Sequence, residues 1–86
     1  MSALAETLQE RASKYGDFRD HASITQRLKD EMRGHQGWSK LNAMHREALD
    51  MIAHKIGRII NNNPDYADSW HDIAGYARCV EDRLPK

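Results

Sequence analysis

Eighty-six residues carry thirteen basic and thirteen acidic side chains, a net charge of zero with the histidines neutral. No basic excess is left for electrostatic capture of nucleic acid, so nucleic acid is not an expected partner. A chain this short makes one domain, residues 1–86, and buries only about 60–65% of the surface it exposes when unfolded.

Four helices are expected in chain order. The first runs from an N-cap at Ser2 to Tyr15, with Leu4, Leu8 and Ala12 repeating every four residues, and Gly16 stops it. "GDFRD" reads as a turn, with Asp20 capping a second helix that carries Ile24, Leu28 and Met32 as far as Gly34. "GHQGWS" reads as a loop. A third helix spans Leu41 to Asn61 and ends at "NNNP", because the residue before a proline avoids the α region. The fourth starts at Ala67 or Asp68 and runs to Leu84, closed by Pro85. Valine and isoleucine are few and never alternate with polar residues, so strands are not expected. The short link between the last two helices predicts an antiparallel hairpin, with the first two helices covering its apolar face. The expected fold is all-α, a small helical bundle built on a long C-terminal hairpin.

A helical wheel shows where the charges fall. With Glu47 at zero, Leu41, Ala48, Ile52, Ile56 and Ile59 lie between about 100° and 180° and define the core face of the third helix. Lys55 lies near 80°, on the shoulder of that face. An ammonium there needs a carboxylate partner, or a stem that carries its charge to the rim. Glu47, Asp50, His54 and Arg58 form an adjoining polar ridge at spacings of three and four, which is either a solvated face with local ion pairs or a row of site residues. On the fourth helix, Tyr66, Ile73, Ala77, Val80 and Leu84 make the core face, while Asp72, Tyr76 and Cys79 sit on its shoulder. Asp68 suits the helix N-terminus as an anion or as the N-cap itself.

The two shoulders can meet, with Lys55 facing Asp72 or Arg58 facing Asp68. One reading is a structural ion-pair cluster. The other is a magnesium and phosphate site, since bundles build such sites from carboxylate pairs on facing helices. Glu47, Asp50, Asp68 and Asp72 are then the candidate Mg2+ ligands, with Lys55 and Arg58 on phosphate. Gly75 permits close helix approach beside them, and Tyr76 offers a ring and a hydroxyl. Histidines 21, 35, 45, 54 and 71 show no metal-type spacing and read as surface or boundary residues. The single cysteine, Cys79, excludes an internal disulfide and a cysteine-built zinc site, and reads as a small packing residue.

The pattern "KYGDF", then Trp38, then "HREALDMIAHKIGRI", then "DYADSWHDIAGYA" resembles an uncharacterised family of small phage and prophage proteins across residues 14 to 84. A more distant resemblance is to the all-α nucleoside triphosphate pyrophosphohydrolases of the MazG type. Those enzymes hold magnesium with ExxE on one helix and ExxD on the next. Glu47 and Asp50 stand at the first spacing with aspartate in second place, and Asp72 has its upstream partner, Asp68, at four residues instead of three.

Two functions follow as expectations. One is a phage-type accessory protein that binds or hydrolyses a nucleoside triphosphate with magnesium. The other is a non-enzymatic phage protein that modulates a host or phage protein, for example an inhibitor of host defence. The thin core and the polar ridge of the third helix both predict a homodimer. No apolar run nears the ~18 residues of a membrane span, and "MSALAETLQER" is no signal peptide. The expected location is the cytoplasm, that of the host cell if phage-encoded.

Overall fold

The computed structural model describes residues 2–85. Helix α1 spans Ala3–Tyr15, and the Ser2 hydroxyl accepts a hydrogen bond from the Ala5 amide at 3.1 Å, as expected of its cap. Gly16 ends α1 at φ +80°, where a side chain is strained, and a Cβ there would also meet the Asn61 amide at 2.8 Å. Because one glycine completes that corner, Asp17 is already extended and caps α2, Phe18–Gly34, accepting from the Arg19 and Asp20 amides. The cap is thus Asp17, not Asp20, which becomes the first-turn anion favoured by the helix dipole.

The expected loop is instead a 3-10 helix, Gln36–Lys40, started by His35 Nδ1 accepting from the Gly37 amide at 2.9 Å. It leaves Leu41 extended, so α3 begins two residues later than expected and spans Ala43–Asn61. Asn42 and His45 cap it reciprocally, at 3.0 and 3.2 Å. Helix α4, Ala67–Glu81, follows Tyr66 without a side-chain cap, so Asp68 lies in its first turn. It stops short of Leu84, which is exposed. The fold is all-α, with no strand among the described residues.

Helix α3 is the axis, packed most extensively against α4 and then against α2, with α1 more lightly attached. This two-sided packing explains why the expected core face is only part of the core. Ala48 and Ile59 are buried as expected, and Ile52, Ile56, Ile73 and Val80 are half-buried, but Ala77 is exposed. The tightest contact lies on the other side of α3. There Ala53 and Gly57 are buried against α2, and a Cβ at Gly57 would collide with the Thr25 hydroxyl and come within 3.1 Å of His21 Nδ1. The end of α3 ties down the α1–α2 corner: Asn61 Nδ2 donates to the Tyr15 and Asp17 carbonyls at 2.8 and 3.0 Å, and Asn62 Nδ2 to the Ser13 carbonyl at 2.9 Å.

The core is thin. No large side chain among the described residues is fully buried. The radius of gyration is 15.0 Å, against about 12 Å for a compact chain of this length. The accessible surface is 6445 Å², roughly 1,200 Å² more than the about 5,200 Å² of a compact monomer of this mass.

Candidate functional site

The α3–α4 contact brings Lys55 and Asp72 together. Lys55 Nζ lies 2.8 Å from Asp72 Oδ2, with the lysine side chain 12% exposed and the aspartate 41%. The hydrogen bond from Lys55 holds the Asp72 carboxyl below the usual range, and partial burial opposes it only in part. This pair explains why a lysine occupies the shoulder of an isoleucine-rich face. The other expected residues go elsewhere. Asp68 accepts from the Tyr66 hydroxyl at 3.1 Å, which raises the tyrosine pKa. Asp50 pairs with Arg33 on α2 at 3.4 Å, and Glu47 is exposed. Tyr76 is half-buried and lines a shallow cleft of about 270 Å³ with Asp72, Gly75 and Cys79. Cys79, expected to pack inside, is exposed because the α4 shoulder is uncovered.

No group of three or more histidine, cysteine or acidic residues gathers as a metal cage among the described residues. Glu47 and Asp50 therefore do not converge with Asp68 and Asp72 within one chain.

Arg58 does not face Asp68. Its guanidinium lies 4.1 Å from the centroid of the Tyr15 ring, which also meets Tyr66 edge-on at 5.9 Å. A groove of about 510 Å³ opens there between α1 and α3, walled by Leu8, Ala12 and Phe18, with Arg58 and Arg11 along it. At its floor two histidines meet. His21 Nε2 stands 3.4 Å from His54 Nδ1, the rings crossing at 83°, and Thr25 Oγ1 lies 3.5 Å from the same His21 nitrogen. Burial pushes the His54 pKa down to about 4, helped by the charge of Arg58, and lowers that of His21 for the same reasons. Both rings are neutral at pH 7, so one nitrogen of the facing pair donates and the other accepts. His21 Nδ1 is buried without a partner.

Sequence reasoning left this histidine pair at the boundary, since the two lie 33 positions apart. The signal that marks it is the small residues around His54. Ala53 and Gly57 announce a helix brought too close for larger side chains.

A family model described as Domain of unknown function (DUF6378) matches residues 2–84, which takes in all four helices and the groove. The chain belongs to the DUF6378 family. No curated protein and no solved structure matches it. An uncharacterised family was expected from the sequence, and the family that matches is one of unknown function; no helix of the described residues is long and apolar enough to cross a membrane.

Proposed function

We propose that this DUF6378 chain is a non-enzymatic interaction module that works as a homodimer through the open face of α3. The observation that carries this reading is an apolar stripe left without a cover. Leu49, Ile56 and Ile60 share a sector of α3 about 40° wide, between the sides taken by α2 and α4. Leu49 is 39% exposed and Ile60 64%. The surplus surface of this elongated chain is comparable to the about 800 Å² per partner that a stable dimer buries, and zero net charge sets no repulsion against a second copy. The likeness of "DSWHDIAGYA" to phage proteins suits an accessory protein whose dimer meets a host or phage protein in the host cytoplasm. Sedimentation over a concentration series is expected to show a dimer, and Leu49→Glu with Ile60→Glu to give a monomer of unchanged helicity. A parent chain that stays monomeric at its highest soluble concentration overturns the reading.

The second reading is the magnesium-dependent nucleoside triphosphate site of MazG type. Asp68 and Asp72 one turn apart, with Lys55 on Asp72, favour it, as does an Arg58 without an ion pair among the described residues. The described residues of one chain offer no magnesium cage, so this reading takes Glu47 and Asp50 from a second subunit. Glu47 lies roughly opposite the apolar stripe on the α3 wheel, so a dimer through the stripe does not complete this site. Magnesium-dependent stabilisation by a nucleoside triphosphate, lost in Asp72→Asn, is the result this reading requires.

A further inference from the structure

We propose that the groove between α1 and α3 binds a small planar aromatic monophosphate, its phosphate held by Arg58 and Arg11 and its ring against Leu8, Ala12 and Phe18. The site shares only Arg58 with the magnesium reading and needs no metal, and it is separate from the dimer stripe on the other side of α3.

Arg58 is the first argument. It is half-buried with its guanidinium over the Tyr15 ring, yet among the described residues it has no ion pair and no side-chain hydrogen bond. A guanidinium held in place with its donors unused is matched by phosphate oxygens, which accept two parallel hydrogen bonds from its fork. Arg11 is the second. It likewise has no ion pair, and both arginines line the apolar groove and an adjoining polar cleft of about 300 Å³. Lys14 stands in that cleft but is occupied by Glu10 at 3.0 Å.

The apolar wall is the third argument. Phe18 is 79% exposed and Leu8 59%, so two large apolar side chains stand in water at the mouth of a groove whose volume suits a small ligand. No carboxylate lines the apolar groove, and Glu10, which lines the adjoining cleft, is paired with Lys14. The His54 edge at the floor offers a neutral hydrogen-bonding group, and a bound anion near Arg58 offsets the charge that disfavours the protonated ring.

The probes are 1-naphthyl phosphate and adenosine monophosphate, with inorganic phosphate and adenosine as separate halves, all in the presence of a chelator. Titration calorimetry and the histidine ring resonances of the full chain read binding. Naphthyl phosphate or the monophosphate is expected to bind, shift the His21 and His54 resonances and raise the His54 pKa. Each half alone should bind about tenfold or more weaker, and Arg58→Gln and Arg11→Gln should each weaken binding about tenfold. Arg11 is exposed, so its variant reads the site without risk to the fold. Three results overturn the proposal: no binding by either probe, binding unchanged in Arg11→Gln, or inorganic phosphate binding as tightly as the aromatic probes. Binding without magnesium leaves the triphosphatase reading to its own test, because that site depends on Asp72 and this one does not.

Discussion

The two contacts of α3 solve the same packing problem in opposite ways. Against α2 the helices come together where side chains are missing: Ala53 and Gly57 meet Thr25 and His21, and the polar atoms of that crossing are dry. Against α4 the contact is more extensive and holds half-buried isoleucines, and a long lysine reaches across to Asp72. The first contact tolerates no added atom. The second tolerates exchange, because its polar pair sits at a rim open to water on the aspartate side.

The largest effect expected from breaking this contrast is at Gly57. Alanine or valine there drives a Cβ into the Thr25 hydroxyl and towards the His21 ring. Overpacking of this kind costs about 1–3 kcal/mol, and valine is expected at the upper end by urea unfolding. Thr25→Ala in the same chain should recover part of the loss. An alanine that stabilises the protein, as its helix propensity alone predicts at about 1 kcal/mol, would mean that the two helices are not in this contact.

The same crossing should respond to pH. His54 is held near a pKa of about 4 and His21 is also lowered, so in the folded state both resist protonation. Below the unfolded value of 6.5 the unfolded chain takes up protons that the native chain refuses. Stability is therefore full above pH 6.5 and falls as pH drops through the window down to about 4, by on the order of 2 kcal/mol for His54 after allowing for its partial exposure. Asp72, whose pKa lies below 3.8, loses its contribution only at lower pH and does not mask this slope. A His54→Gln chain should show a flatter stability curve between pH 6.5 and 4. An unchanged curve would place the proton uptake elsewhere.

Much of the helical frame was legible because caps and breakers are local. Ser2, Gly16, Gly34 and the "NNNP" end each act within one turn, and the wheel alone put Lys55 within reach of Asp72. Positions set by neighbours in space were not legible. Asp17 outcompetes Asp20 because Gly16 shortens the corner, and Ala77 is exposed because α4 packs on one side only. The core of α3 splits between two faces because α2 and α4 both claim it. The acidic residues split in the same way: Asp50 goes to Arg33 across α2, and Asp72 goes to Lys55. A wheel drawn for one helix cannot show that the neighbour on each side supplies a cation.

At the α4 contact the expected effects are smaller and unequal. Removing the carboxylate by Asp72→Asn strands a lysine whose side chain is only 12% exposed, whereas Lys55→Met leaves a carboxylate that water still reaches. The melting temperature should therefore fall further in Asp72→Asn than in Lys55→Met. The double change to Lys55→Met with Asp72→Leu should recover most of the loss, since apolar pairs replace buried ion pairs with little penalty. Equal losses from the two single changes would show the lysine to be as well solvated as its partner.

The smallest effect is expected from a pair that looks just as good by distance. Arg78 Nε lies 2.7 Å from Asp82 Oδ1, no longer than the 2.8 Å of Lys55 to Asp72, and Glu81 is 3.8 Å away. Yet the Arg78 side chain is 72% exposed and Asp82 52%. Both ends are already hydrated, so forming the pair exchanges water contacts for a bond that salt screens. Arg78→Ala should shift stability by less than about 0.5 kcal/mol, and added salt should erase the difference. If the exposed pair proved as important as Lys55–Asp72, distance and not burial would set the strength of the ion pairs in this bundle, and the asymmetry expected between Asp72→Asn and Lys55→Met should vanish as well.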